Sequence, residues 1–226
     1  MMSIFIGTTI TLIAVIVFTP MVLFYGVCIR YGNRRKNCIA LTIDDGPHPD
    51  STPQVLQVLS SHHIVVTFFC PAKTLQQYPD LAKQIIAGGH SIQNHTFSHP
   101  LWFAFYSRRR IMQELKNAQQ IYLQFGIKPI FFRSVAGVVT PAIVTAAKQM
   151  DLRIVAWSAR ARDGGIFSVR AQSAYRRLLR GMVPGGILLL HDHPRSPACE
   201  VIARIAQEAS QRQLRFVTLA ELLDNE

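Results

Sequence analysis

Cys38-Ile39-Ala40-Leu41-Thr42-Ile43-Asp44-Asp45-Gly46-Pro47-His48-Pro49-Asp50 is the stretch that decides the fold. Its first six residues form an apolar run, the pattern of a buried strand, and Gly46 and Pro47 then bend the chain away. Two carboxylates therefore emerge at the C-terminal edge of that strand, where α/β enzymes collect their chemistry. A second stretch, His95-Thr96-Phe97-Ser98-His99-Pro100, carries two histidines four residues apart. On a helical turn both imidazoles reach one divalent ion. One carboxylate and two imidazoles leave coordination positions open, and the remaining carboxylate is free to act as a base.

Outward from these stretches, strand and helix patterns alternate. Residues 64–69, 129–132, 152–157, 186–190 and 214–217 read as strands, and 52–62, 75–87, 107–125, 140–150, 168–181 and 198–212 as helices. Such alternation predicts an α/β fold with a mainly parallel sheet and helices outside.

Five motifs together resemble the polysaccharide deacetylases, the NodB-homology carbohydrate esterases of family 4, over roughly residues 38–223. They are Thr42-Ile43-Asp44-Asp45-Gly46, His95-Thr96-Phe97-Ser98-His99, Arg133-Ser134-Val135-Ala136-Gly137, Trp157 to Gly164, and Leu189-Leu190-His191-Asp192. The resemblance implies a distorted, incomplete (β/α)7 barrel. It also implies roles: Asp44 as general base, Asp45, His95 and His99 as metal ligands, and Arg133 as the partner that orients Asp44. His191 would be the general acid, held by Asp163. Ala136 would offer a backbone N–H to the oxyanion, and Leu189, Trp157 and Arg160 would line the sugar pocket. The chain departs from the family pattern at Val135 and Ala136, where Pro and Tyr are usual, and at Gly164, where Trp is usual. The expected metal is a divalent ion, zinc by the N/O character of the ligands, with cobalt or another divalent ion as alternatives.

The first 29 residues contain no Asp, Glu, Lys, Arg or His, and Arg30, Arg34, Arg35 and Lys36 follow directly. This pattern predicts a retained transmembrane anchor over residues 1–29, a basic juxtamembrane segment over 30–37, and the catalytic domain over 38–226. By the positive-inside bias, that domain would sit on the cytoplasmic face of the inner membrane. Residues 37–226 keep 20 of the 24 Lys+Arg and all 13 Asp+Glu, a net of +7. Such a surplus suits anionic lipids or a phosphate-bearing substrate. Nucleic acid is not expected, because no recognition motif accompanies the charge.

Leu101 to Tyr106 are largely apolar and precede Arg108, Arg109 and Arg110. This order predicts a membrane-contacting rim made of Trp102, Phe103, Phe105 and the three arginines. With the anchor, it points to N-deacetylation or deformylation of an amino sugar on undecaprenyl phosphate, in lipid A or surface-glycan modification. The alternatives are a peptidoglycan or polysaccharide deacetylase facing the periplasm, and a membrane-anchored carbohydrate-binding protein without catalysis.

Overall fold

The computed structural model describes residues 25–164 and 169–224. At its centre is β1 (Cys38–Asp44), buried along its whole length, as its apolar run demands of a strand covered on both faces. Around it stand β2 (Thr67–Cys70), β3 (Ser91–Asn94), β4 (Phe131–Phe132), β5 (Arg153–Ile154), β6 (Ala159–Arg160) and β7 (Ile187–His191). The seven strands are hydrogen-bonded in the order β5-β4-β3-β2-β1-β7-β6, all parallel, and β8 (Arg215–Phe216) pairs with the first half of β1. This is a curled parallel half-barrel, the incomplete (β/α)7 barrel expected from the sequence.

Helices α1 (Thr52–Ser61), α2 (Ala72–Gln77), α3 (Pro79–Ala87), α4 (Arg108–Gln124), α5 (Pro141–Gln149), α6 (Ala171–Leu178), α7 (Ala198–Gln211) and α8 (Leu219–Leu223) fill the crossovers. The single helix expected over 75–87 is two, because Pro79 has no N–H to donate and pushes Tyr78 out of helical geometry, at φ −127°. Ser107 caps α4 by accepting from Arg110 N–H, and Thr140 caps α5 by accepting from Ile143 N–H. Ile39, Leu41 and Ile43 of β1 pack with Val55 and Leu59 of α1 and with Ile202 and Ile205 of α7.

Two strands lie where none was expected, β3 and β6. Strand β3 reads Ser-Ile-Gln-Asn, and its Gln93 and Asn94 are buried for a reason. Gln93 Oε1 accepts from both Ile130 and Phe131 N–H, at 3.0 and 2.9 Å. Asn94 Oδ1 accepts from Thr96 N–H at 2.8 Å. The strand thus ties its neighbour to the loop that carries the histidines.

The N-terminal expectation is corrected. Among the described residues no helix is long and apolar enough to cross a membrane. Residues 1–24, most of the expected anchor, lie outside the described residues. Its last residues join the domain: Tyr25–Val27 form a 3-10 turn, Ile29 N–H donates to Ile154 O at 2.9 Å, and Ala156 N–H donates to Ile29 O at 2.8 Å. Gly32 N–H likewise reaches Gly185 O at 2.7 Å. The expected localisation, a single-pass inner-membrane protein with its domain on the cytoplasmic face, is corrected accordingly: the described residues supply no spanning helix, and Ile29 and Gly32 are hydrogen-bonded into the domain.

Replacing Gln93 by Leu leaves the buried N–H of Phe131 and the partly buried N–H of Ile130 without their acceptor. A buried donor left unpaired costs about 1–3 kcal/mol, and the Phe131 N–H carries most of that cost. The Gln93→Leu protein should therefore unfold at a lower denaturant midpoint with an unchanged m-value, checked by chemical denaturation.

Candidate active site

The residues expected to act as base, acid, metal ligands and their partners sit at or beyond the C-terminal ends of strands. Asp44 closes β1, and the β1–β7 register sets it opposite His191, the last residue of β7. Residues in register on parallel neighbours share a face, so these two side chains look onto one cleft. Asp44 is buried and its Oδ1 accepts from Arg133 Nη1 at 2.6 Å. Arg133, itself fully buried just past β4, also donates to Thr42 Oγ1 at 2.8 Å and to the carbonyls of Val155 and Ala156. Its guanidinium lies 4.1 Å from the Phe69 ring centre.

Asp45, His95 and His99 offer ligand atoms that lie within 4.8 Å of one another. Asp45 Oδ1 is 3.4 Å from His95 Nε2 and 3.2 Å from His99 Nε2, yet it is buried with no hydrogen-bond partner. A buried oxygen faced by two imidazole nitrogens and satisfied by neither fits a cation held among the three. His95 Nδ1 meets the Arg133 carbonyl at 2.8 Å. That oxygen only accepts, so Nδ1 carries the proton and Nε2 turns its lone pair to the metal position. Burial works against the Asp45 charge, but the neighbouring His95, His99 and His191 outweigh it and hold the carboxyl well below its ordinary range.

His191 is paired through Nδ1 with Asp163 Oδ1 at 2.9 Å. The other oxygen of Asp163 accepts from His191 N–H at 3.0 Å and from Ser196 Oγ at 2.6 Å. Burial alone would lower the His191 pKa. The hydrogen bond and charge of Asp163, backed by Asp44 and Asp45, raise it to about 9. Gly164 lies so close that a Cβ there would stand 2.4 Å from His191 Nε2. Any side chain at this position would require the His191 imidazole to sit elsewhere.

Leu101, Val135, Ala136, Trp157, Arg160, Arg162 and Leu189 join these groups around one cleft of about 570 Å³. Ala136 holds φ 54°, a left-handed conformation that costs alanine about 1–3 kcal/mol and is a mark of functional loops. The expected rim divides. Trp102 and Phe105 are exposed, at 71% and 59%, but Phe103 is fully buried against Phe132 and Tyr106 and is a core residue. Arg108, Arg109 and Arg110 open α4, with Arg110 stacked 3.6 Å over the Tyr106 ring.

By position alone, Asp192 and His193 read as residues of the turn that follows β7. Asp192 is buried and accepts from Ser51 Oγ and Thr52 Oγ1, both at 2.5 Å, while its own N–H bonds to Asp44 O. It fills the space beside Gly46, where a Cβ would come within 2.4 Å of its carboxylate. Asp192 therefore sets the loop that presents Asp45. His193 Nε2 lies 2.6 Å from the Asp163 carbonyl. The only sequence signal for either was adjacency to His191.

Residues 31–155 match the model of the family described as polysaccharide deacetylase. The chain belongs to that family. A peptidoglycan-N-acetylglucosamine deacetylase of Bacillus cereus is 32% identical over 190 residues, covering 83% of this chain and 89% of that protein. A chitooligosaccharide deacetylase of Azorhizobium caulinodans is 31% identical, covering 70% of this chain and 75% of its own. A solved peptidoglycan N-acetylglucosamine deacetylase, bound to an N-hydroxybenzamide compound, matches with a TM-score of 0.80 at 28% identity, over 87% and 92% of the two chains. A pseudoenzyme of Bacillus anthracis shares the fold as well, with a TM-score of 0.78 at 23% identity over 87% of this chain and 68% of that one. Deacetylase family membership therefore gives the fold, and side chains must carry the argument for chemistry.

The full chain should take up one divalent ion. Asp45→Asn and His99→Ala should each weaken uptake by more than about tenfold, and Asp44→Asn should leave stoichiometry unchanged, as measured by metal analysis after dialysis.

Proposed function

We propose that this family member hydrolyses the N-acetyl amide of N-acetylglucosamine units in a cell-wall glycan, releasing acetate and leaving the free amine. The observation that carries this reading is the meeting, in one cleft, of an arginine-held carboxylate, a His-His-Asp cluster and an aspartate-held histidine. A binding protein has no use for a base, an acid and a metal triad together. Asp45, His95 and His99 would hold the divalent ion, zinc by their donor set, and the ion would supply Lewis-acid polarisation of the water and the amide carbonyl.

The chain's own groups divide the remaining work. Asp44, fixed through one oxygen by Arg133, takes a proton from the attacking water on its other. The Ala136 N–H donates to the oxygen that gains charge as the carbonyl carbon becomes tetrahedral. His191, protonated up to about pH 9, hands its proton to the departing nitrogen as the C–N bond breaks. Leu189 and Trp157 wall the acyl and sugar positions. A second reading, an amino sugar on undecaprenyl phosphate, draws on the exposed Leu101, Trp102 and Phe105 beside the cleft.

Acetate release from N-acetylglucosamine oligomers, from peptidoglycan and from an undecaprenyl-phosphate-linked N-acetylated sugar, with Asp44→Asn as control, tests these readings. Turnover on the lipid-linked sugar alone would replace the first with the second, and none on any would overturn both.

The role of His191 has its own test. A raised pKa keeps the acid competent below about 9, so activity falls as pH climbs through that value. Asp163→Asn removes the charge that opposes burial. The alkaline limb of kcat should then move to lower pH, with kcat down by about 10²–10⁴-fold.

A further inference from the structure

Next to the catalytic cleft lies a second cavity of about 370 Å³, lined by Arg30, Arg160, Arg162, Arg177, Arg180 and Trp157 among others, with no acidic residue in its wall. Trp157, Arg160 and Arg162 line both cavities, so the two adjoin across these side chains. The five guanidiniums arrive from separate parts of the chain: the N-terminal segment, β6 and the loop after it, α6, and the 3-10 turn Leu179–Gly181. Three arginines elsewhere find acids: Arg204 with Glu200, Arg212 with Glu208 and Arg215 with Glu221. Arg160, Arg162, Arg177 and Arg180 enter none of the ion pairs among the described residues. Converging like charges repel one another, and an anion in their midst relieves this.

We infer that this cavity is a subsite for carboxylates on the sugar next to the one being deacetylated, and that the enzyme therefore acts on an anionic, carboxylate-bearing amino-sugar chain rather than a neutral one. The inference rests on the proposed activity and narrows it. Relatives of this chain act on peptidoglycan or on chitooligosaccharides. The first polymer alternates N-acetylglucosamine with a sugar bearing a lactyl carboxylate or a peptide with several carboxylates, and the second is uncharged. Guanidinium forks match carboxylates in pairs, and the neighbouring Trp157 face gives a sugar ring a surface to lie on. Arg30, which by sequence alone reads as a cytoplasmic-side flag, takes its place in this wall.

The test compares kcat/KM of the full chain on two substrates: N-acetylglucosamine tetramer, and a tetrasaccharide of alternating N-acetylglucosamine and N-acetylmuramic acid. The carboxylated substrate, with its carboxylates free or amidated, is run at low and high salt. The free carboxylates should be favoured by about tenfold or more at low salt, with the advantage shrinking as salt rises. Arg180 is exposed and outside the catalytic cleft, so Arg180→Gln should cut the preference by about threefold and Arg180→Glu should abolish it, with the rate on the neutral tetramer unchanged. Equal kcat/KM for free and amidated forms, or a preference that survives Arg180→Glu, overturns the subsite while leaving deacetylation standing. If neither substrate is turned over, the activity reading fails, and calorimetry decides the subsite by itself. Binding of the free-carboxylate tetrasaccharide to the Asp44→Asn chain should then exceed that of the amidated one, and equal binding overturns it. Tighter binding of N-acetylglucosamine 1-phosphate than of the carboxylated chain would also overturn it, in favour of a phosphate site.

Discussion

The buried guanidinium of Arg133 is the interaction on which the site depends. It ties Asp44 and Thr42 of β1 to the carbonyls of Val155 and Ala156 beyond β5, across the strands that separate them. Its own carbonyl meanwhile fixes the ring of His95. One residue therefore sets the direction of the base, the tautomer of a metal ligand and the closure of one half of the sheet. Removing one member of a buried pair costs about 3–5 kcal/mol, because the other is left charged without compensation. The energetic demand of burying the ion pair and the geometric demand of the chemistry are met by the same contacts.

Around that anchor, legibility followed polarity. Strands β1 and β7 were readable because both faces are covered and the sequence runs apolar without a break. Strand β3 was not, because its buried residues are Gln93 and Asn94, whose amides serve backbone groups of neighbouring segments. Strand β6, two residues ending in Arg160, was equally silent. The motif residues were legible by type and spacing. What spacing could not give is the set that positions them: Asp192 reaches Ser51 and Thr52 across 140 residues of chain, and no local pattern announces such a bond.

At Ile29 and at Phe103 hydropathy pointed to a membrane where the described structure shows protein contacts, for one reason. A run of apolar residues beside arginines is what a membrane interface requires, and it is also what a small domain uses to bury a segment while leaving cations at the edge. Ile29 forms backbone hydrogen bonds with the strand end at Ile154 to Ala156, and Phe103 packs on Phe132 in the core. Between these two outcomes, composition does not discriminate. The partner surface does, and it exists only once the sheet has formed.

The adjacent carboxylates carry the last step. In a regular strand Asp44 and Asp45 would point to opposite faces, and only one could serve the cleft. Asp45 instead takes φ 76°, in the left-handed region that non-glycine residues seldom occupy. Both side chains consequently line the same cavity. The cost is local strain, and Asp192, bonded to the Asp44 carbonyl and seated against Gly46, is what holds the loop there. Two like charges in one cavity are tolerable because each has its own counter-field: a guanidinium for Asp44, and two imidazoles with the ion they would share for Asp45. The division of labour between base and ligand is thus written in the backbone turn that brings the two together and in the separate neighbours that keep their roles apart.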